Sequence, residues 1–176
     1  GVSSTAHAAN ILYCNDYSVG TDKMGLALSD LSSEHSITTT SSMSDCESRV
    51  SSGSWDLVIH AVQNWSHSSP NFNSYVSSGG VAIMQDWTRD GSRGSACGVS
   101  YSSTNFSTMT LIDSRIEDGV SESPVGLSNP GWGVYSMSFS ITDGGTNLAT
   151  SSYGNAAIGL TNDGRVIVNG FLTDTI

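Results

Sequence analysis

Lysine is almost missing from this chain. Of 176 residues only Lys23 is a lysine, and the six basic residues stand against 16 acidic ones, a formal charge of −10. Such a chain cannot neutralise a run of phosphates, so nucleic acid and anionic membrane surfaces are excluded as expected partners. Cysteine is scarce as well. Cys14, Cys46 and Cys97 show no CxxC spacing and are too few for a disulfide scaffold, so one bridge and one free thiol is the most they allow. Cys14 lies in an apolar run, as a small buried hydrophobe does, while Cys46 and Cys97 sit in polar surroundings; Cys46–Cys97 is therefore the expected pair. No apolar run approaches the roughly 18 to 20 residues that span a bilayer, and no charged segment leads into an apolar one at the start. Membrane insertion is not expected.

What the chain has in excess is hydroxyl: 35 serines and 15 threonines. Apolar residues make up 37% and gather in discrete blocks, which implies a packed core with polar loops rather than disorder. The length fits one domain, residues 1–176. The acidic, hydroxyl-rich surface leads to the expectation of a domain of an exported protein, excised from a longer chain and working in an extracellular or periplasmic setting.

The blocks alternate in type. Ile11-Leu12-Tyr13-Cys14 reads as a strand buried on both faces that ends in polar Asn15-Asp16. Met24, Ala27, Leu28 and Leu31 recur at helical spacing behind Thr21 and Asp22 as N-cap candidates. Ser36 to Thr40 is β-branched and reads as a strand near a sheet edge. Ser44-Asp45-Cys46-Glu47 has the form of a capping box for a second helix that Gly53 ends. Asp56 to Val62 is a third strand, and Ser69-Pro70 opens a third helix whose apolar face is Phe72, Tyr75 and Val76. Val81 to Met84 makes a fourth strand. Three βα units in series predict an α/β fold: a doubly wound, mostly parallel sheet of flavodoxin-like type.

Beyond Thr88 the pattern dissolves into a Gly-Ser loop as far as Ser107. In the last third Val134 to Ile141 alternates, and Ala156 to Leu160 and Val166 to Phe171 flank Asn162-Asp163-Gly164, a hairpin signal. Antiparallel strands are expected there. At the end of the sequence Thr173 or Asp174 could cap a helix for which no residues follow.

The order of these blocks resembles the class I glutamine amidotransferase-like superfamily, and in particular its trehalose-utilisation-type branch. The residues that carry the resemblance are Ile11 to Asn15 as first strand, Trp55 to Ile59 as third, Tyr75 to Ile83 as helix end, glycine turn and elbow strand, and Gly164 to Phe171 as closing strand. The resemblance implies the fold. It also implies a cysteine nucleophile followed by glycine at the end of the elbow strand, with a histidine and a glutamate downstream. Gln85 occupies that place here, and no histidine follows His67. A glutamine amide cannot attack a carbonyl, so the family reaction does not carry over.

In a doubly wound sheet, ligands bind outside the carboxyl ends of the strands. That rule singles out Asn15, Asp16, His60, Asn64, Gln85, Asp86 and Trp87 as candidate ligand-binding residues lining one cleft. Asp16 and Asp86, with Asn15, Gln85 and Asp90, are oxygen donors of the kind a hard cation takes, and His60 or His67 is a candidate base. The bland alternatives are turn caps and core histidines, and neither a resident metal nor a cofactor is expected. Arg89, Asp90 and Arg93 could hold an anion or pair locally. Trp65 and Trp87 follow strand ends and offer apolar ring faces to a sugar, whereas Trp55 reads as core. The expected function is a non-catalytic ligand-binding or scaffold domain, whose partner is a carbohydrate or another domain of the same protein. The alternative is a hydrolase with a carboxylate, histidine or metal-centred site at the strand ends.

Overall fold

A computed structural model describes residues 7–64, 66–128, 133 and 135–176. The first half winds as the sequence predicts: β1 (Asn10–Asn15), α1 (Lys23–Asp30), β2 (Ser36–Thr40), α2 (Met43–Ser52), β3 (Leu57–Val62), α3 (Pro70–Ser77) and β4 (Ala82–Asp86). β1 pairs in parallel with both β2 and β3, and β3 with β4. β2 is the outermost strand. The second half adds α4 (Gly91–Ala96), β5 (Val99–Tyr101), β6 (Thr108–Leu111), β7 (Val125–Gly126), β8 (Phe139–Ile141), β9 (Thr146–Ser151), β10 (Ala156–Thr161) and β11 (Val166–Asn169). β11 lies parallel to β4, and from there the sheet continues antiparallel through β10, β9, β6 and β7. β8 pairs antiparallel with β10 and with β5.

The two-residue period of a strand sends neighbouring side chains to opposite faces. On one face Leu12, Cys14, Val58, Val62, Ala82 and Met84 pack with Met43, Cys46 and Val50 of α2 and Phe72 and Val76 of α3. On the other, Ile11, Tyr13, Ile59 and Ala61 meet Leu28 of α1. A separate core of Phe106, Met109, Leu148, Ile158 and Phe171 lies in the antiparallel half.

Local signals held where the chain decides locally. Asp22 caps α1, its carboxylate accepting from Gly25 N at 2.8 Å. Pro70 opens α3, and Gly79, at φ 103°, follows its end. Asn162, Asp163 and Gly164 all take positive φ and reverse the chain between β10 and β11.

Several expectations are corrected. The disulfide joins Cys14 to Cys46, with Cα atoms 5.8 Å apart, and Cys97 is the free, buried cysteine. Cys14 points from β1 toward α2, so its apolar neighbourhood is the interface that the bridge crosses. The cap of α2 is Ser42, whose hydroxyl accepts from Asp45 N at 3.2 Å, and not Ser44. Glu47 turns away from its own helix and holds the start of α3 instead. Ser69 precedes α3 without capping it, because its hydroxyl is drawn toward Arg93 and His60. The Gly-Ser loop contains α4 and β5, stabilised by the Asp90 side chain on Arg93 N at 2.7 Å and by the buried Arg93 head group. Thr173 and Asp174 cap nothing; they lie in a 3-10 turn that packs on α1.

Candidate functional site

The strand order turns at β1, with β2 on one side and β3 on the other, so the crevice at the switch point lies beyond the ends of β1 and β3. Asp16 fastens its two walls. Its carboxylate accepts from Gln63 N at 2.6 Å and from Asn64 N at 3.2 Å, and His67 Nε2 stands 3.6 Å away. The Asp16 side chain is 4% exposed and that of His67 33%, but His67 Nε2 is itself buried, so solvent reaches the imidazole ring and not the nitrogen that faces Asp16. Asn15 lies beside them, its side-chain oxygen accepting from Gln63 Nε2 at 2.7 Å and its amide donating to Ser18 Oγ at 3.0 Å.

The seven candidate residues do not line one cleft. Strand alternation divides them between the faces of the sheet. Asn15, Gln63 and Gln85 continue the face of Ile11, Ala61 and Ile83, and the turn of Thr173 and Asp174 lies across their ends. Gln85 is fully buried and its side-chain oxygen accepts from both N and Oγ1 of Thr173, at 3.2 and 3.1 Å. Asp174 in turn accepts from Val19 N at 2.9 Å, and its burial raises the carboxyl pKa above the ordinary value. Two buried amide atoms on this face, Gln63 Oε1 and Gln85 Nε2, have no partner among the described residues. Buried polar atoms are ordinarily paired with protein, water or ligand, so this is where the strand ends retain unused hydrogen-bonding capacity.

His60 and Asp86 belong to the opposite face and to the core. His60 stacks on Phe72 with ring centroids 4.2 Å apart, and burial, followed by the charges of Arg93 and His67, pushes its pKa well below 6.5. Asp86 is fully buried against Arg93: Nε and NH2 donate to Oδ2 at 2.9 and 2.8 Å, while Thr88 supplies N and Oγ1 to Oδ1 at 2.6 Å each. Arg93 completes its set with the His67 carbonyl and Ser69 Oγ. All the charge is matched inside the protein, so Asp86 holds α4 to the end of β4. Asp90, offered by the sequence as a partner for Arg93, binds only its backbone N.

Trp87 is half-buried beside the crevice, with its indole N donating to the Gln63 carbonyl and its ring meeting Tyr135 edge-on at 4.4 Å. Trp55 packs against the core as expected, and Trp65 lies outside the described residues. Cys97 is not an alternative nucleophile, because burial pushes its thiol up to about 12. Among the described residues no group of three or more His, Cys, Asp or Glu is placed to hold a metal ion. No helix among them is long and apolar enough to cross a membrane. Sequence reasoning placed Gln63 in the strand-end segment His60 to Asn64 without a role of its own, and missed Thr173, whose contact with Gln85 spans 88 positions.

Solved structures with the same arrangement exist in several organisms. A ThuA-like protein from Bacteroides uniformis matches with a TM-score of 0.62 and 8% identity, over 98% of this chain and 86% of that one. A glutamine amidotransferase from Thermotoga maritima matches with a TM-score of 0.60 and 9% identity, over 96% and 77%. An exo-β-1,4-mannosidase from an Opitutaceae bacterium matches with a TM-score of 0.53 and 12% identity, over 96% of this chain but 31% of its own. No protein-family model matches the sequence, and no curated protein matches it. The fold is that of the class I glutamine amidotransferase-like proteins, with a mixed sheet that is parallel in its first half and antiparallel later.

Proposed function

We infer that this chain is a non-catalytic, carbohydrate-binding domain of an exported protein, holding its ligand at the switch-point crevice. The observation that carries the reading is Gln85. At the corner where the fold family places its nucleophile stands a buried amide, fastened by Thr173, that cannot attack a carbonyl. Beside it the partly exposed Asp16, Ser18 and Asn64 offer polar groups at the strand ends, while Gln63 and Gln85 are enclosed. Trp87 supplies an apolar ring beside them. The mannosidase, in which this fold is under a third of the chain, supports a role as one domain of a carbohydrate-active protein. The Cys14–Cys46 disulfide supports export, since such bridges persist in oxidising compartments.

Asp16 and His67 favour a second reading. Among the described residues a carboxylate 3.6 Å from a partly exposed imidazole is an acid-base pair at the crevice, and a hydrolase would be built on it. The test is calorimetric titration of neutral mannose and glucose oligosaccharides into wild type, Trp87→Ala and Asp16→Asn, with product release followed in parallel. Binding that weakens in both variants without turnover is the expected result. Turnover by wild type that Asp16→Asn and His67→Gln each abolish would establish the hydrolase instead.

A further inference from the structure

We propose that a second groove, beside β5 and over α4, binds a saccharide carrying a single carboxylate, with Arg89 as its counter-ion. The protein has five arginines. Arg49, Arg93 and Arg115 are paired with Asp45, Asp86 and Asp113, and Arg165 donates to the carbonyls of Val76 and Gly80. Arg89 alone of the five has no partner among the described residues, although Asp90 is its neighbour in sequence. In a chain of formal charge −10 an arginine with neither a carboxylate nor a carbonyl partner among the described residues stands out. Its backbone is held at φ 63°, a conformation that is uncommon for a residue with a side chain and that concentrates at ligand sites.

Arg89 stands on the wall of a cavity of about 590 Å³, within the range of small-molecule sites. Hydroxyls dominate the rest of the lining, from Ser95, Ser100, Ser103 and Thr142, with the partly exposed Tyr101 and apolar Val99 beside them. Hydroxyls match the polar edge of a sugar and the tyrosine ring its CH face, while a guanidinium pairs with a carboxylate through two parallel hydrogen bonds. Gly91 and Ser95 also line a second cavity of about 580 Å³, which reaches Asn162. One cation and many hydroxyls select one negative charge on a polyol; a polyanion would meet the acidic surface.

The inference rests on the reading of the chain as a carbohydrate-binding domain but uses a different surface, so the two can fail separately. The probes are cellobiouronic acid, which carries one carboxylate, neutral cellobiose, and inorganic phosphate, each titrated into the protein while amide shifts are followed by NMR. The expected result is saturable shifts at Ser95, Ser100 and Tyr101 with cellobiouronic acid, about tenfold weaker binding of cellobiose, and about tenfold loss in Arg89→Gln. A Cβ at Gly91 meets no atom within 4 Å, so Gly91→Phe fills the groove without disturbing the core and should abolish binding with Arg89 intact. Equal binding of cellobiose, equal binding of phosphate, or indifference to both substitutions overturns the proposal. If cellobiose binds, is blind to Arg89→Gln and is lost in Trp87→Ala, the crevice reading stands and this groove is not a site.

Discussion

Glu47 and Asn71 hold each other twice. The Glu47 carboxylate accepts from Asn71 N at 2.7 Å, and the Asn71 amide donates to the Glu47 carbonyl at 3.0 Å. The other carboxylate oxygen accepts from Phe72 N at 3.2 Å, so one side chain of α2 satisfies two of the free N–H groups that open α3. Glu47 also follows directly on Cys46 of the disulfide, which fixes α2 against β1. Bridge and cap together tie three successive βα units. Glu47→Ala should cost about 1 to 2 kcal/mol, the value of a lost helix cap, read as a lower urea midpoint. Glu47→Gln, which keeps an acceptor, should lose less.

The Asp86–Arg93 pair is wholly inside the protein. Asp86→Ala leaves a guanidinium without its counter-charge and should destabilise by about 3 to 5 kcal/mol. Removing both charges should be milder: Asp86→Ala with Arg93→Met is expected to recover part of that loss, and a double-mutant cycle of urea midpoints measures it. If the double substitution is worse than the single one, the ion pair is not what holds α4.

Breaking the Cys14–Cys46 bridge frees a loop with a sequence separation of 32. The loss in the chain-entropy account is about 3 to 4 kcal/mol. Cys14→Ala with Cys46→Ala should therefore unfold at lower urea, and reductant should shift wild type but not the double variant. Cys97→Ala should leave the response to reductant unchanged.

Acid should weaken the fold through His60. Its folded pKa lies well below 6.5, so the folded chain refuses a proton that the unfolded chain takes up. The contribution is fully present above the unfolded value of about 6.5 and is lost as pH falls toward the folded value. Stability measured by urea between pH 7.5 and 5 should fall, and His60→Gln should flatten that slope.

How far the sequence was legible follows from where the determining contacts lie. β1, β3 and β4 are mostly apolar because both of their faces are packed, and the reversal at Asn162 to Gly164 is decided by its own residues. α4 escaped because its six residues include two glycines, and its stability comes from Arg93 reaching back to Asp86 and His67. That the candidate residues fall at strand ends was legible; their division between the two faces of the sheet was not. Counting by two along β1, β3 and β4 separates Asn15 and Gln85 from His60 and Asp86, but which set meets a helix and which meets the Thr173–Asp174 turn depends on chain that arrives much later.

The enclosure of Arg93 has a consequence for digestion. A trypsin-like protease cuts after lysine or arginine, and this chain offers six such positions. Arg93 is fully buried, so hydrolysis there requires the chain following β4 to pull out of the protein first. In a medium rich in such enzymes the bond after Arg93 survives for as long as that segment stays shut. The rate of scission at Arg93, set against that at exposed Arg89, measures how often it opens.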